Sequence, residues 1–142
     1  MTQHLSRADF LKRIGGLSAV ILLDRSVFSP AATNPLPHPE PRPGITAEKV
    51  LKVEDLGEKP RKAVLAAFEA ARQHPQIFDG LACGCGCHGK ATYEHRSLLV
   101  CYETKQPTGC LACQLEAKFV ADLAKEGKTL AEVRVAVDKK FG

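Results

Sequence analysis

The six cysteines of the chain are the feature that most limits what it can fold into. All of them lie between Cys83 and Cys113, and none occurs elsewhere in the 142 residues. They form three groups, which are Cys83-Gly-Cys85-Gly-Cys87, Cys101, and Cys110-Leu-Ala-Cys113. Such clustering indicates one site, whose chemistry is metal ligation, disulfide bonding or thiol exchange.

The spacing within the groups allows the sulfurs to converge. Alternate residues of an extended chain point to the same side, and Gly84 and Gly86 let the loop curl, so three thiols can approach one centre. Cys110 and Cys113 are three residues apart at a predicted helix start, where the positive end of the helix dipole lies near both sulfurs. We therefore expect a lowered thiol pKa at this pair, which favours ligation and thiol exchange alike.

Helical periodicity flanks the cysteine stretch on its amino-terminal side. One predicted helix lies between Pro60 and Pro75, and its apolar face consists of Val64, Ala67, Phe68 and Ala71. A shorter apolar turn follows at Ile77, Phe78 and Leu81, and a further helical face consists of His95, Leu98, Leu99 and Tyr102. The cysteine loop is therefore expected between helices.

Two more helices are predicted after the cysteines. Thr108 is placed to cap a helix from about Cys110 to Glu126, with an apolar stripe of Leu111, Leu115, Phe119 and Leu123. Thr129-Leu-Ala-Glu132 is typical of a capping box, and the last helix it begins would bury Leu130, Val133 and Val137. No stretch shows sustained strand alternation. The predicted fold is a small all-α domain with a cysteine-rich loop.

The amino terminus has the pattern of an export signal over residues 1–31. Basic residues up to Lys12 precede an apolar run, Ile14 to Leu23, which is shorter than the roughly 20 residues of a membrane span. Ser29-Pro30-Ala31 fits a signal-peptidase cleavage site. The alternative is an ordinary amphipathic first helix. A membrane is expected as a partner only if the apolar run is retained as an anchor.

Residues 6–12 resemble the twin-arginine export motif, with Ala8 in place of the second arginine. A proline-rich segment follows the predicted signal, with prolines at every second position from Pro35 to Pro43. Proline fixes φ and favours an extended chain. We therefore predict a semi-rigid spacer over residues 32–45 and the helical cysteine-rich domain over residues 46–142.

The cysteine region resembles the PCYCGC-motif family of exported bacterial proteins, many of which are lipoproteins. The resemblance covers about residues 60–140 and is carried by Ala82 to Cys87, Glu94 to Tyr102, and Gly109 to Cys113. The sequence departs from the family where Ala82 replaces proline and Gly84 replaces tyrosine, and it has no lipoprotein cysteine before Cys83. The resemblance implies a periplasmic or extracytoplasmic location and a metal-binding role.

A sulfur-rich ligand set selects Cu(I), Zn(II) or another soft ion over Mg or Ca. Zinc takes four ligands and would leave two cysteines unexplained, whereas Cu(I) accepts bridging sulfurs and can use all six, so copper(I) is preferred and zinc is the alternative. The predicted ligands are Cys83, Cys85, Cys87, Cys101, Cys110, Cys113 and His88. His95 can be a ligand, a donor to a ligand or a core residue.

Metal handling or delivery would require a metal-donating or metal-accepting protein as a partner. Disulfide bonding and thiol exchange are the alternatives to metal binding. Six cysteines allow 15 disulfide pairings, and Cys110-Leu-Ala-Cys113 has the dithiol spacing of an oxidoreductase with Cys110 as attacking thiolate, although without its βαβ context. The net charge of +4 is interspersed with acidic residues, which disfavours nucleic-acid binding. No motif supports hydrolytic catalysis, so an enzyme is not favoured.

Overall fold

The computed structural model describes residues 35–87 and 95–142, which contain six α-helices. The helices are α1 (Lys62–Gln73), α2 (Pro75–Asp79), α3 (Leu98–Tyr102), α4 (Gln106–Gly109), α5 (Leu111–Lys125) and α6 (Leu130–Phe141), and a 3-10 helix, Val53–Leu56, precedes them. These residues include no β-strand. The all-α class and the cysteine-rich loop predicted from the sequence are therefore confirmed.

Among the described residues, no helix combines the length and apolar character that crossing a membrane requires. The predicted export signal, residues 1–31, lies outside the described part of the chain, as do residues 32–34 of the predicted spacer.

Three aromatic side chains join the first three helices in the core. The ring of Tyr102 meets Phe68 edge to face at 4.9 Å between centroids, and it meets Phe78 in the same manner at 5.7 Å. All three side chains are fully buried. Edge-to-face pairs of this kind contribute about 1 kcal/mol each beyond the area that they bury. Further along the chain, α5 packs against both α1 and α6.

The helix ends agree with the sequence in two places and differ in one. Helix α1 ends just before His74 and Pro75, as predicted, because proline cannot continue the helix. The Thr129 and Glu132 capping box at the start of α6 is also present. At α5 the predicted cap was wrong, since the side chain of Cys110 accepts the hydrogen bond there and Thr108 lies in α4.

The inward face of α5 also differs from the predicted stripe. Leu111 is 64% exposed and Leu115 is 53% exposed. The buried side chains of α5 are Cys113, Gln114, Glu116, Ala117, Val120 and Ala121. Cys113, Ala117 and Val120 also recur at helical spacing, so α5 carries two possible apolar stripes, and its packing against α1 and α6 buries this one.

Residues 35–45 of the predicted spacer lie against the helical domain. The amide of Leu36 donates to Asp138 Oδ1 at 2.7 Å, and Arg134 Nη2 donates to the carbonyl oxygen of Pro39 at 2.6 Å. The amide of Ala82 donates to His38 Nδ1 at 3.0 Å, so the proton of that ring is on Nε2, 3.1 Å from Asp138 Oδ1. This stretch is therefore held on the helical domain by hydrogen bonds.

Hydrogen bonds of Asp79, the last residue of α2, link residues 35–45 to α2 and to the start of α3. Its buried carboxylate accepts from Arg42 Nη2 at 2.8 Å, from Arg96 Nη1 at 3.0 Å and from Ser97 Oγ at 2.9 Å. Burial by itself would raise the pKa of Asp79, but the hydrogen bonds and charge of Arg42, helped by Ser97, lower it to about 2. The Ser97 hydroxyl also accepts from the amide of Val100 and so caps α3.

Candidate metal centre

The loop that follows α2 places the first group of thiols. Cys83 and Cys87 are buried and Cys85 is half-buried. Gly86 has a φ of +72°, a conformation that favours glycine. A Cβ atom at Gly84 would lie 2.7 Å from the Cβ atom of Phe141. The two glycines of the motif therefore have separate roles, one in the turn and the other in close packing.

The start of α5 supplies the second group. The amide of Cys113 donates to the sulfur of Cys110, which makes Cys110 the helix cap. The two sulfurs of this pair lie 2.8 Å apart. Cys113 is fully buried, whereas Cys110 is half-buried and lies nearer the surface. One thiol of the pair therefore faces the interior and the other the outside.

The two groups meet at Cys83. Its sulfur is 3.1 Å from that of Cys85 and 3.5 Å from that of Cys113. These three sulfurs all lie within 4.8 Å of one another, and we call Cys83, Cys85 and Cys113 the thiol trio. A tetrahedral ion with metal–sulfur bonds of about 2.3 Å separates its sulfur ligands by about 3.8 Å. The spacing of the trio is close to what such an ion requires.

The other three cysteines border the trio. The thiol of Cys101, on α3, interacts with those of Cys83 and Cys113, and it lies 3.2 Å from Nδ1 of His95. Cys87 interacts with Cys85, and its sulfur is 3.7 Å from Nε2 of Gln106. Together with Cys110, the six cysteines make one continuous thiol cluster.

Their neighbours and their burial raise the pKa of the inner thiols, Cys83, Cys101 and Cys113. Cys101 favours the thiolate of Cys83, but the neighbouring Cys113, burial and the charge of Glu116 outweigh it and raise the pKa of Cys83. The pKa of Cys113 is also raised, by Cys101 and by burial. The prediction of a lowered pKa at the helix start was therefore wrong for Cys113, because its position among other buried thiols outweighs the helix dipole.

Cys85 differs from the inner thiols. Burial would raise its pKa, but the contacts with Cys87 and Cys83 outweigh burial and lower it. The half-buried thiol of the loop is therefore the one most readily ionised among those with a shifted pKa. An incoming cation would reach the half-buried thiol of Cys85, with its lowered pKa, before the buried sulfurs behind it.

One polar residue of the centre was missed by the sequence analysis. Glu116 lies one turn after Cys113 on α5 and is fully buried. Its Oε2 accepts a hydrogen bond of 2.9 Å from the amide of Gly84, and its carboxylate lies beside the thiol of Cys83. Its position three residues after the second cysteine of Cys110-Leu-Ala-Cys113 was the available signal, since that spacing puts both side chains on one helix face.

All six cysteines lie in the thiol cluster, whereas His88 lies outside the described residues. His95 is next to Cys101 and outside the trio. Buried thiols in contact, together with a buried carboxylate, are a donor set suited to a thiophilic cation, so these residues could bind a metal.

The fold and the cluster define a class, a small all-α domain with a cysteine cluster that could hold a metal ion. Searches against known proteins add no family or function to this description, since no family model, no curated protein and no solved structure matches the chain.

Proposed function

We propose that this chain is an exported protein that binds a thiophilic metal ion, preferentially copper(I), for handling or delivery rather than for catalytic turnover. The observation that carries the proposal is the thiol trio, in which sulfurs from a glycine-rich loop and a helix start lie within 4.8 Å of one another. Two thiols of one loop meet a third that lies 30 residues further along the chain, and a soft cation is the partner that sulfur prefers.

The extent of the cluster favours copper(I) over zinc. A single tetrahedral ion uses four ligands, which the trio and one neighbouring thiol would already supply. Cys87, Cys101 and Cys110 adjoin the trio, so the centre has more sulfur donors than one such ion can use. Thiolates that bridge Cu(I) ions would use the surplus. Structural zinc is the alternative, with the trio and Cys110 as its four ligands.

Delivery requires a route by which a ligand can reach the ion. Cys85 and Cys110 are half-buried, whereas Cys83 and Cys113 lie behind them. A metal-donating or metal-accepting protein that presents thiols of its own would exchange ligands at these two positions first. The buried sulfurs would then hold the ion while its outer ligands change.

Export rests on sequence alone, through the signal-like pattern of residues 1–31 and the resemblance to the PCYCGC-motif family. A periplasmic or extracytoplasmic protein meets its metal in an oxidising compartment. Fractionation of cells that express the full chain tests the location. The mature protein is expected outside the cytoplasm, with its amino terminus just after Ala31, and a full-length product in the cytoplasm would contradict export without bearing on the metal site.

A thiol-disulfide role is the second candidate, and one observation favours it. Cys110 and Cys113 have sulfurs 2.8 Å apart, with the more exposed Cys110 placed to attack a partner disulfide. The raised pKa of Cys113 opposes this role, because Cys113 would have to attack the mixed disulfide on Cys110 as a thiolate, and a raised pKa lowers the thiolate fraction. Loss of reductase activity in Cys110→Ser, measured with metal-free protein, would support it.

Metal binding is tested on the full chain, purified anaerobically with its thiols reduced. Elemental analysis and native mass spectrometry after exposure to Cu(I) or to Zn²⁺ give the number of ions and their identity. Cys83→Ser and Cys113→Ser should each weaken binding by about 100-fold or more, since replacing even an outer partner of a ligand costs 10–100-fold. Leu111→Ala is the matched control, because Leu111 lies between two cysteines, is exposed and offers no donor atom.

Two results would contradict the proposal. The first is protein without bound metal that carries three intact disulfides, which would make the cluster a set of structural cross-links. The second is metal binding that is equally strong in Cys83→Ser, in Cys113→Ser and in the Leu111→Ala control, which would place the ion elsewhere on the chain.

A further inference from the structure

A buried carboxylate lies beside the thiol cluster with one of its oxygens unused. Glu116 is fully buried, and its Oε2 accepts from the amide of Gly84. Its Oε1 has no hydrogen-bond partner in the described part of the chain. Buried carboxylates are normally paired or fully hydrogen-bonded, because removing the charge from water is costly. One oxygen of this buried carboxylate therefore has no such partner among the described residues.

Among residues 35–87 and 95–142, no ion pair with a basic side chain supplies that partner. The arginines and lysines in the ion pairs of residues 35–87 and 95–142 bind other carboxylates, at Asp79, Glu103, Glu69, Asp122, Glu132 and Glu40. In the part of the chain that the structure describes, the Gly84 amide and the Cys83 thiol face the carboxylate.

We propose that Glu116 is the residue that lets the thiol cluster take a divalent thiophilic ion of the zinc class in addition to copper(I). The inference rests on the metal-binding function proposed above and assigns a determinant of ion selectivity within that site. Glu116 is not a member of the thiol trio, and it acts through the negative charge that its carboxylate carries beside Cys83 when a cation occupies the cluster.

The physical basis is the dependence of a Coulomb interaction on the product of the charges. A carboxylate a few ångström away, in a buried site, attracts an ion of charge +2 twice as strongly as one of charge +1. Solvent screening is weak for a side chain that is fully buried. The carboxylate therefore adds more to the affinity for Zn²⁺ than to that for Cu(I), and removing its charge would leave a cluster that favours the monovalent ion.

The hydrogen bond to the loop keeps this charge in place. Because Gly84 lies between Cys83 and Cys85, its amide ties Glu116 to the segment that carries two sulfurs of the trio. An uncharged glutamine can accept the same hydrogen bond through its side-chain oxygen. The substitution Glu116→Gln therefore separates the charge from the positioning of the loop.

The test measures Zn²⁺ and Cu(I) affinities of the full chain by competition with chelators, under anaerobic conditions and at one pH. Glu116→Gln should lower the ratio of Zn²⁺ affinity to Cu(I) affinity by about tenfold or more. Glu126→Gln is the matched control, since it removes the same charge from an exposed position at the end of α5 and should leave the ratio unchanged. Circular dichroism of both variants checks that the helices are retained.

If Glu116→Gln does not fold, the variants Glu116→Asp and Glu116→Asn, whose side chains are shorter, repeat the comparison between a charged and an uncharged side chain. The aspartate variant should then exceed the asparagine variant in relative Zn²⁺ affinity. An equal affinity ratio in the charged and uncharged forms would overturn the role of Glu116 while leaving the metal site intact. If the unaltered chain binds Cu(I) but not Zn²⁺, the role of Glu116 is also overturned and the metal site stands. If it binds neither ion, the proposed function itself is wrong.

Discussion

The hydroxyl of Tyr102 donates a hydrogen bond of 2.7 Å to the carbonyl oxygen of Cys113. This contact joins the aromatic core to the helix that carries one sulfur of the thiol trio. Tyr102 is fully buried, and Phe68 and Phe78 pack against its ring. The position of Cys113 is thus fixed by the core of the domain as well as by its own helix.

Replacing this tyrosine should destabilise the domain. Tyr102→Phe keeps the ring but removes the buried hydrogen bond, so the free energy of unfolding should fall by about 1–2 kcal/mol. Denaturant unfolding of the metal-free protein measures it. Thr108→Val is the control, because it removes an exposed hydrogen bond to the Lys105 carbonyl and should cost less than about 0.5 kcal/mol. Equal losses in both variants would contradict a special role for the buried bond.

The carboxylate of Asp79 should make stability depend on acid pH. Its pKa is lowered from 3.8 to about 2 in the folded protein, so the stability that it contributes is complete above pH 4 and is lost as the pH falls through 2. The expected loss is about 2 kcal/mol. Asp79→Asn should destabilise the protein at neutral pH, and its free energy of unfolding should depend less on pH in the acid range.

Unfolding curves collected from pH 5 to pH 1.5, approximate limits that bracket both pKa values, test that expectation. Asp55→Asn removes an exposed carboxylate and should keep the acid-dependent loss. A profile that is equally steep with and without Asp79 would mean that its network with Arg42 and Arg96 does not contribute in the way described.

Gly84 should tolerate no side chain. The Cβ atom of Gly84→Ala would lie 2.7 Å from Phe141 Cβ and 3.2 Å from the carbonyl oxygen of Phe141, so the loop or α6 must shift. We expect a loss of about 1–3 kcal/mol in unfolding free energy, together with weaker metal binding. Gly109→Ala is the matched control, because a Cβ atom there meets nothing within 4 Å. Similar behaviour of the two variants would rule out close packing as the reason for Gly84.

The inward face of α5 can be tested with two truncations. Val120→Ala removes a fully buried side chain and should cost about 2 kcal/mol, whereas Leu115→Ala trims a side chain that is 53% exposed and should cost less than about 0.5 kcal/mol. Thermal or denaturant unfolding gives both values. The reverse order would restore the stripe of Leu111 and Leu115 as the core face.

Much of the local structure followed from short spacings. Val64, Ala67 and Phe68 predicted the buried face of α1, and Thr129 with Glu132 predicted the start of α6, because both patterns act within a single helix. The prediction failed for α5, whose sequence carries two apolar stripes. Only packing against α1 and α6 selects between them, and that selection leaves Leu111 and Leu115 exposed while burying Cys113.

The sequence by itself determined the all-α class, the end of α1, the start of α6 and the grouping of the thiols, since these depend on neighbouring residues. The tertiary structure decided that Cys83 and Cys113 meet, that residues 35–45 lie on the domain, and that Glu116 is buried beside the cluster. It also raised the pKa of Cys113, against the expectation from the helix start. Burial, charge and partners arise between segments far apart in the chain, and no local spacing specifies them.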